Sequence, residues 1–262
     1  MMRNVYMKTL YDLRWSILAF CIGLSILAFA ILYAFPSVSS VPGGLFSGLE
    51  EQTSDALLGD IAADSPEAYL NVQLFAFQPL YIAIFLIIVT SAAVAGEDGS
   101  KTLGTLLAHP VSRWRVLTEK ALAIFTGMVV IELAVAAAAV LGAWVAGVDL
   151  DLVKLGLSLL AIIPYGIWLL GFGLFCSAFF NSRMVAALIV TGVVVSTYML
   201  NSLSDFIPGL KTYNQFAPMY YYSWGQPLVG AITWTDVGIL VGAGAIFYVL
   251  AVASFQRREV LG

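Results

Sequence analysis

Gly96, Gly99, Ser100, Lys101 and Thr102 crowd into the stretch GEDGSKTLGTLLAHPVSRWRVLTEK, residues 96–120. Glycines ending in a lysine beside a hydroxyl are the chemistry of a phosphate cradle. The spacing excludes it, because a phosphate loop needs a glycine, four residues and then Gly-Lys-Ser/Thr between a strand and a helix. Here Ser100 separates Gly99 from Lys101, and the run follows a strongly apolar stretch. Other reactive side chains are scarce. His109 is the single histidine, the cysteines are Cys21 and Cys176, and neither HExxH nor CxxC occurs. No catalytic residue, metal site or cofactor site is therefore expected in the chain itself. Glu132 remains as the one ionisable side chain inside the long apolar windows. A carboxylate in hydrocarbon is costly enough to count as a functional candidate; a carboxylic acid hydrogen-bonded to a neighbouring helix is the equal alternative.

These residues are set among long apolar runs. Of the 262 residues 61% are hydrophobic and 11% charged, far from the roughly 25% charged residues of a soluble domain. Six windows, 15–35, 72–96, 121–148, 155–180, 184–204 and 237–256, match or exceed the roughly 20 apolar residues that cross a bilayer as a helix. The fold class expected is an all-α membrane protein, one domain over residues 1–262. The first window follows Arg3, Lys8 and Arg14 and is long enough to span and stay, so it is read as a transmembrane helix and not a cleaved signal.

Basic residues mark the cytoplasmic side. With both termini inside, Arg3, Lys8, Arg14, Lys101, Arg113, Arg115, Lys120, Arg183, Arg257 and Arg258 are cytoplasmic, and Lys154 and Lys211 are outside. The acidic residues Glu50, Glu51, Asp55, Asp60, Asp64 and Glu67 fall in the first outer segment, which carries the acidic balance and makes nucleic-acid binding unexpected. That acidic face reads as a solvated surface before it reads as an ion or substrate site. Both cysteines lie within helices and read as packing residues.

Between the windows, Met2, Tyr6, Leu10 and Leu13 share one helical face and Arg3, Lys8 and Asp12 another. The pattern predicts an interfacial helix before the chain turns into the membrane, or a simple positive anchor. PSVSSVPGG, from residue 36, signals a loop, and Ser65-Pro66-Glu67 signals a helix start. Residues 205–236 hold Tyr213, Phe216, Tyr220, Tyr221 and Tyr222, which predict short outer helices in an aromatic belt or, more sharply, a substrate or lipid exit. Gly238, Gly242 and Gly244 suggest close helix packing, within the subunit or in a dimer, and Pro164 a kink. Inverted repeats, broken helices and several mid-membrane charges, the marks of a secondary transporter, are not visible. Energy is expected to arrive from outside the membrane domain.

The polar stretch then reads as mechanical. Leu103, Leu106 and Leu107 have helical spacing, Pro110 ends that helix, and VSRWR returns to the membrane. GEDGSKTLGTLLAHPVSRWRVLTEKALA resembles the segment after the second helix in ABC-2 type permeases, the membrane subunits of ATP-binding-cassette exporters. Glu97, Gly104, Thr105, Leu106, Pro110, Ser112, Arg113 and Lys120 match that pattern, and the six-helix layout matches over the whole chain. The resemblance implies a permease of a prokaryotic cytoplasmic membrane that pairs with a second permease copy and two copies of a separate ABC ATPase, where ATP and magnesium are bound. It implies a coupling helix within residues 97–120, with Glu97, Asp98, Arg113 and Arg115 as polar anchors. In length the chain is similar to the permeases of nitrous-oxide-reductase maturation. A non-transport membrane subunit driven by the same kind of ATPase is the alternative. No motif selects a substrate; a pathway with so few charges suits an apolar one.

Overall fold

The computed structural model describes residues 4–39, 65–96, 112–204, 206–222 and 233–257. Residues 97–111, with Glu97, Asp98, Leu103, Gly104, Thr105, Leu106, Leu107 and Pro110, lie outside the described residues, as does most of the first outer segment. The described chain is helical throughout: α1 (Val5–Ser39), α2 (Pro66–Leu70), α3 (Gln78–Ser91), α4 (Arg113–Ala146), α5 (Leu152–Leu160), α6 (Ile163–Phe179), α7 (Arg183–Ser204), α8 (Pro208–Asn214) and α9 (Trp234–Arg257). Single π-helical turns, Asn71–Phe75 and Ala92–Gly96, flank α3, and a short 3-10 turn, Tyr220–Tyr222, follows α8. Six stretches are long and apolar enough to cross a membrane: Val5–Ser37, Asn71–Gly96, Arg113–Ala146, Leu152–Phe179, Arg183–Ser204 and Trp234–Arg257.

The six windows read from the sequence are thus all present, each starting earlier than the sequence placed it. The chain does not turn between an interfacial helix and the first span, as the amphipathic pattern at residues 2–14 had suggested; α1 is continuous from Val5. Its half-buried face is used against protein: the Tyr6 hydroxyl pairs with that of Thr126 at 3.1 Å, and Leu13 and Ile17 pack on the core, while Lys8 and Asp12 stay exposed. α1 also runs past Pro36 to Ser39, where the sequence signalled a loop. Pro66 does open α2, with Glu67 in its first turn, where a carboxylate meets the positive end of the helix.

Pro164 does more than kink the fourth span. It sits in the first turn of α6, and the span is broken at Ala161 and Ile162 between α5 and α6, so the expectation of unbroken helices fails here. A ring that lacks an N–H and clashes with the preceding turn favours a new helix start over continuation. Asp151 caps α5 by accepting from Val153 N at 2.9 Å and Lys154 N at 3.1 Å. Before it, Gly147 closes α4 at φ 65, the left-handed conformation that glycine adopts without strain.

Small residues set the close contacts. α1 lies along α4, and α9 along α6. A Cβ at Gly142 would lie 3.0 Å from Phe29 O, and one at Gly244 2.7 Å from Ile167 O. Around Gly238 and Gly242 there is open space, so Gly244, with Gly171 opposite it, makes the intimate crossing within the chain. Large apolar side chains face outwards, Trp15 at 68% exposure and Val153 at 71% among them, the pattern expected where the surrounding solvent is lipid.

Candidate coupling and intramembrane sites

α1 and α9 meet the start of α4 at the same end of the bundle, called here the near end, because Tyr6 N donates to Glu119 Oε2 and Arg113 reaches Phe255. The near end carries the flanks of residues 97–111. Ser112 stands in extended conformation just before α4 and is exposed. The Arg113 guanidinium donates to Phe255 O at 3.1 Å and Gln256 O at 3.4 Å, covering the last carbonyls of α9. Carbonyls towards the C-terminus of a helix carry the negative end of its dipole, so a cation there is favoured. Arg115 is exposed and pairs with Glu119 at 2.9 Å; the other Glu119 oxygen serves as acceptor at the first turn of α1.

Lys120, the lysine that the family pattern places at the opening of the third span, faces inwards. It is 4% exposed, and its Nζ donates to Ala93 O at 2.5 Å, in the π-helical turn that closes the second span. It works inside the protein. On the other side of that turn the Ser177 hydroxyl of α6 accepts from Val94 N and Ala95 N, each at 3.1 Å, and donates to Ser91 O at 3.2 Å. Ser177 escaped the sequence reading; its signal was the small pair Gly173 and Ser177, one helical turn apart.

The second constellation is away from the near end. Glu132, on α4, is 1% exposed, and its Oε2 accepts from Gln78 Nε2 at 2.9 Å. The same nitrogen donates to Leu159 O at 2.8 Å, a carbonyl in the last turn of α5, where the break before α6 leaves carbonyls without helical partners. Gln78 Oε1 accepts from the Tyr222 hydroxyl at 2.9 Å. One buried amide therefore ties together α4, the broken fourth span and the segment after α8. Burial first, and the nearby Glu132 second, hold the Tyr222 phenol well above its usual range, which keeps it a donor. Gln78 was not singled out in the sequence, and Tyr222 was read there only as a member of the aromatic belt. Tyr213, Phe216 and Tyr220 are exposed, consistent with a belt, while Tyr222 is core. Cys176 is buried and Cys21 half-buried, both as free thiols.

This architecture defines a multi-pass, all-helical membrane protein. The profile of the ABC-2 family transporter proteins matches residues 8–260. The chain belongs to that family, and so is a membrane component of an ABC transport system, not itself the catalyst. The match is to the family and does not select the nitrous-oxide-reductase subgroup. No curated protein matches the chain.

Proposed function

We propose that the chain is the pathway-forming permease of an ABC exporter in a prokaryotic cytoplasmic membrane. It dimerises, keeps both termini in the cytoplasm, and couples through residues 97–120 to two copies of a separate ATPase, where ATP and magnesium are bound. The observation that carries this reading is how the flanks of residues 97–111 are connected. On one side is a turn held by α4 and α6; on the other are Arg113, bonded to the end of α9, and Glu119, bonded to the start of α1. A segment so mounted passes a push to several spans at once, as a nucleotide-driven partner requires. The near end is then cytoplasmic, in agreement with the distribution of Lys and Arg.

Leu103, Leu106 and Leu107 supply the apolar face of the handle, and Glu97, Asp98 and Arg115 its polar rim. Single rim charges are worth only about 0 to 1 kcal/mol, so charge reversal at Glu97 is a weak test. The decisive variant makes the face polar: Leu103→Asp with Leu106→Asp. In this reading it inserts normally but loses the co-purifying ATPase, or hydrolyses ATP without moving cargo. Normal binding together with normal coupling would show that residues 97–111 are not the handle.

A further inference from the structure

The Ala92–Gly96 turn leads directly into residues 97–111 and is π-helical where α3 before it is α-helical. In an α-helix, Ala95 N–H would bond Ser91 O. Here the Ser177 hydroxyl stands between these two atoms, accepting from Ala95 N at 3.1 Å and donating to Ser91 O at 3.2 Å, while also accepting from Val94 N. A side chain inserted into the i→i−4 ladder is a recognised cause of local distortion. Ser177 comes close enough because Gly173, one turn earlier on α6, has no Cβ; one there would collide with the Thr90 side chain. From the other direction Lys120 of α4 takes Ala93 O. One turn of helix is thus gripped by α6 through its N–H groups and by α4 through a carbonyl.

We propose that Ser177 and Lys120 are positioning residues of the coupling step. They clasp the turn so that displacement of residues 97–111 moves α3, α4 and α6 together instead of being absorbed by local rewinding. This rests on the reading of residues 97–120 as the ATPase handle. A π-helical turn carries one residue more than an α-turn accommodates, and losing that residue would rotate everything beyond it by about 100°. The clasp removes this slack. Lys120 adds a charge-assisted bond at the negative end of a helix, where exchange with water is blocked by its burial.

The test uses the complete permease–ATPase complex in lipid nanodiscs, with hydrogen exchange measured without nucleotide and after trapping with ATP, magnesium and vanadate. In the unaltered complex, trapping changes exchange both at residues 97–111 and in α6. Ser177→Ala and Lys120→Met should keep the co-purifying ATPase and the response at residues 97–111, while the response of α6 shrinks about fivefold or more, the low end of an ordinary coupling free energy. Ser177→Thr and Lys120→Arg, which restore the hydroxyl and the cation, should recover it. If one truncated variant fails to fold, the other carries the test. A full α6 response in Ser177→Ala or Lys120→Met overturns the clasp. No response at residues 97–111 in the unaltered complex instead overturns the handle, and the clasp with it.

Discussion

Glu132 is held through its neighbour Gln78. Gln78 uses both amide hydrogens and its carbonyl in the same cluster, so its loss strands three partners: Glu132, Leu159 O and the Tyr222 hydroxyl. Leaving buried polar groups unpaired costs about 1–3 kcal/mol in general, and interhelical bonds within bilayers average nearer ~0.6 kcal/mol. Gln78→Ala is therefore expected to destabilise by about 1–3 kcal/mol, and Tyr222→Phe by about 1 kcal/mol. Glu132→Gln keeps an oxygen to accept from Gln78 and should be near neutral. Thermal unfolding midpoints in nanodiscs order the three variants, and Glu132→Gln proving as damaging as Gln78→Ala would contradict this account. The same Glu132→Gln chain is expected to retain ATP-driven activity. Near-complete loss with normal insertion would assign the carboxyl a proton or substrate role.

Among the elements, the crossing of α6 and α9 is the most exacting. The glycine spacing in α9 pointed to Gly238, Gly242 and Gly244; the first two face open space within the chain, and Gly244 meets the backbone of α6 at Ile167 and Trp168. Gly244→Ala must push two backbones apart and is expected to cost about 1–3 kcal/mol, the usual penalty of overpacking. Gly242→Ala should stay within about 0.5 kcal/mol. Equal midpoints for the two variants would show that the crossing is looser than described. At the end of α4, Gly147→Ala forces an L side chain into φ 65, which costs about 1 kcal/mol. A hydrogen-exchange comparison should show fraying confined to the turn between α4 and α5.

At the scale of the whole molecule, six stretches among the described residues are long and apolar enough to cross a membrane, and the proposed topology has both termini inside. Cysteines introduced near Asp60 and Gln215 should react with an impermeant reagent in intact cells, and those near Thr105 and Arg257 should not. Labelling at Thr105 from outside would invert the topology and remove residues 97–111 from the reach of a cytoplasmic ATPase. Exposed apolar side chains over α1, α7 and α9 suit lipid or a second permease copy alike, because neither solvent demands a polar surface.

Membrane class, number of spans and the position of the polar stretch between the second and third were legible in the sequence, because a bilayer imposes a length of apolar chain and that length is a local property. Glu132 was legible too, by exclusion. Its partners were not. Gln78 lies 54 residues from Glu132 and 144 from Tyr222, and Ser177 lies 83 from Val94. Which of these meet depends on how each helix is rotated about its axis and where the fourth span breaks. In helices apolar on every face, hydrophobic periodicity carries little information about rotation. Packing of small residues decides it instead: Gly173 brings Ser177 to the π-helical turn, and Gly171 with Gly244 sets α9 against α6. Lys120, matched in the sequence only as the lysine that opens the third span, is held inside by that same assembly, because only the folded bundle presents it with a carbonyl at the end of the second span.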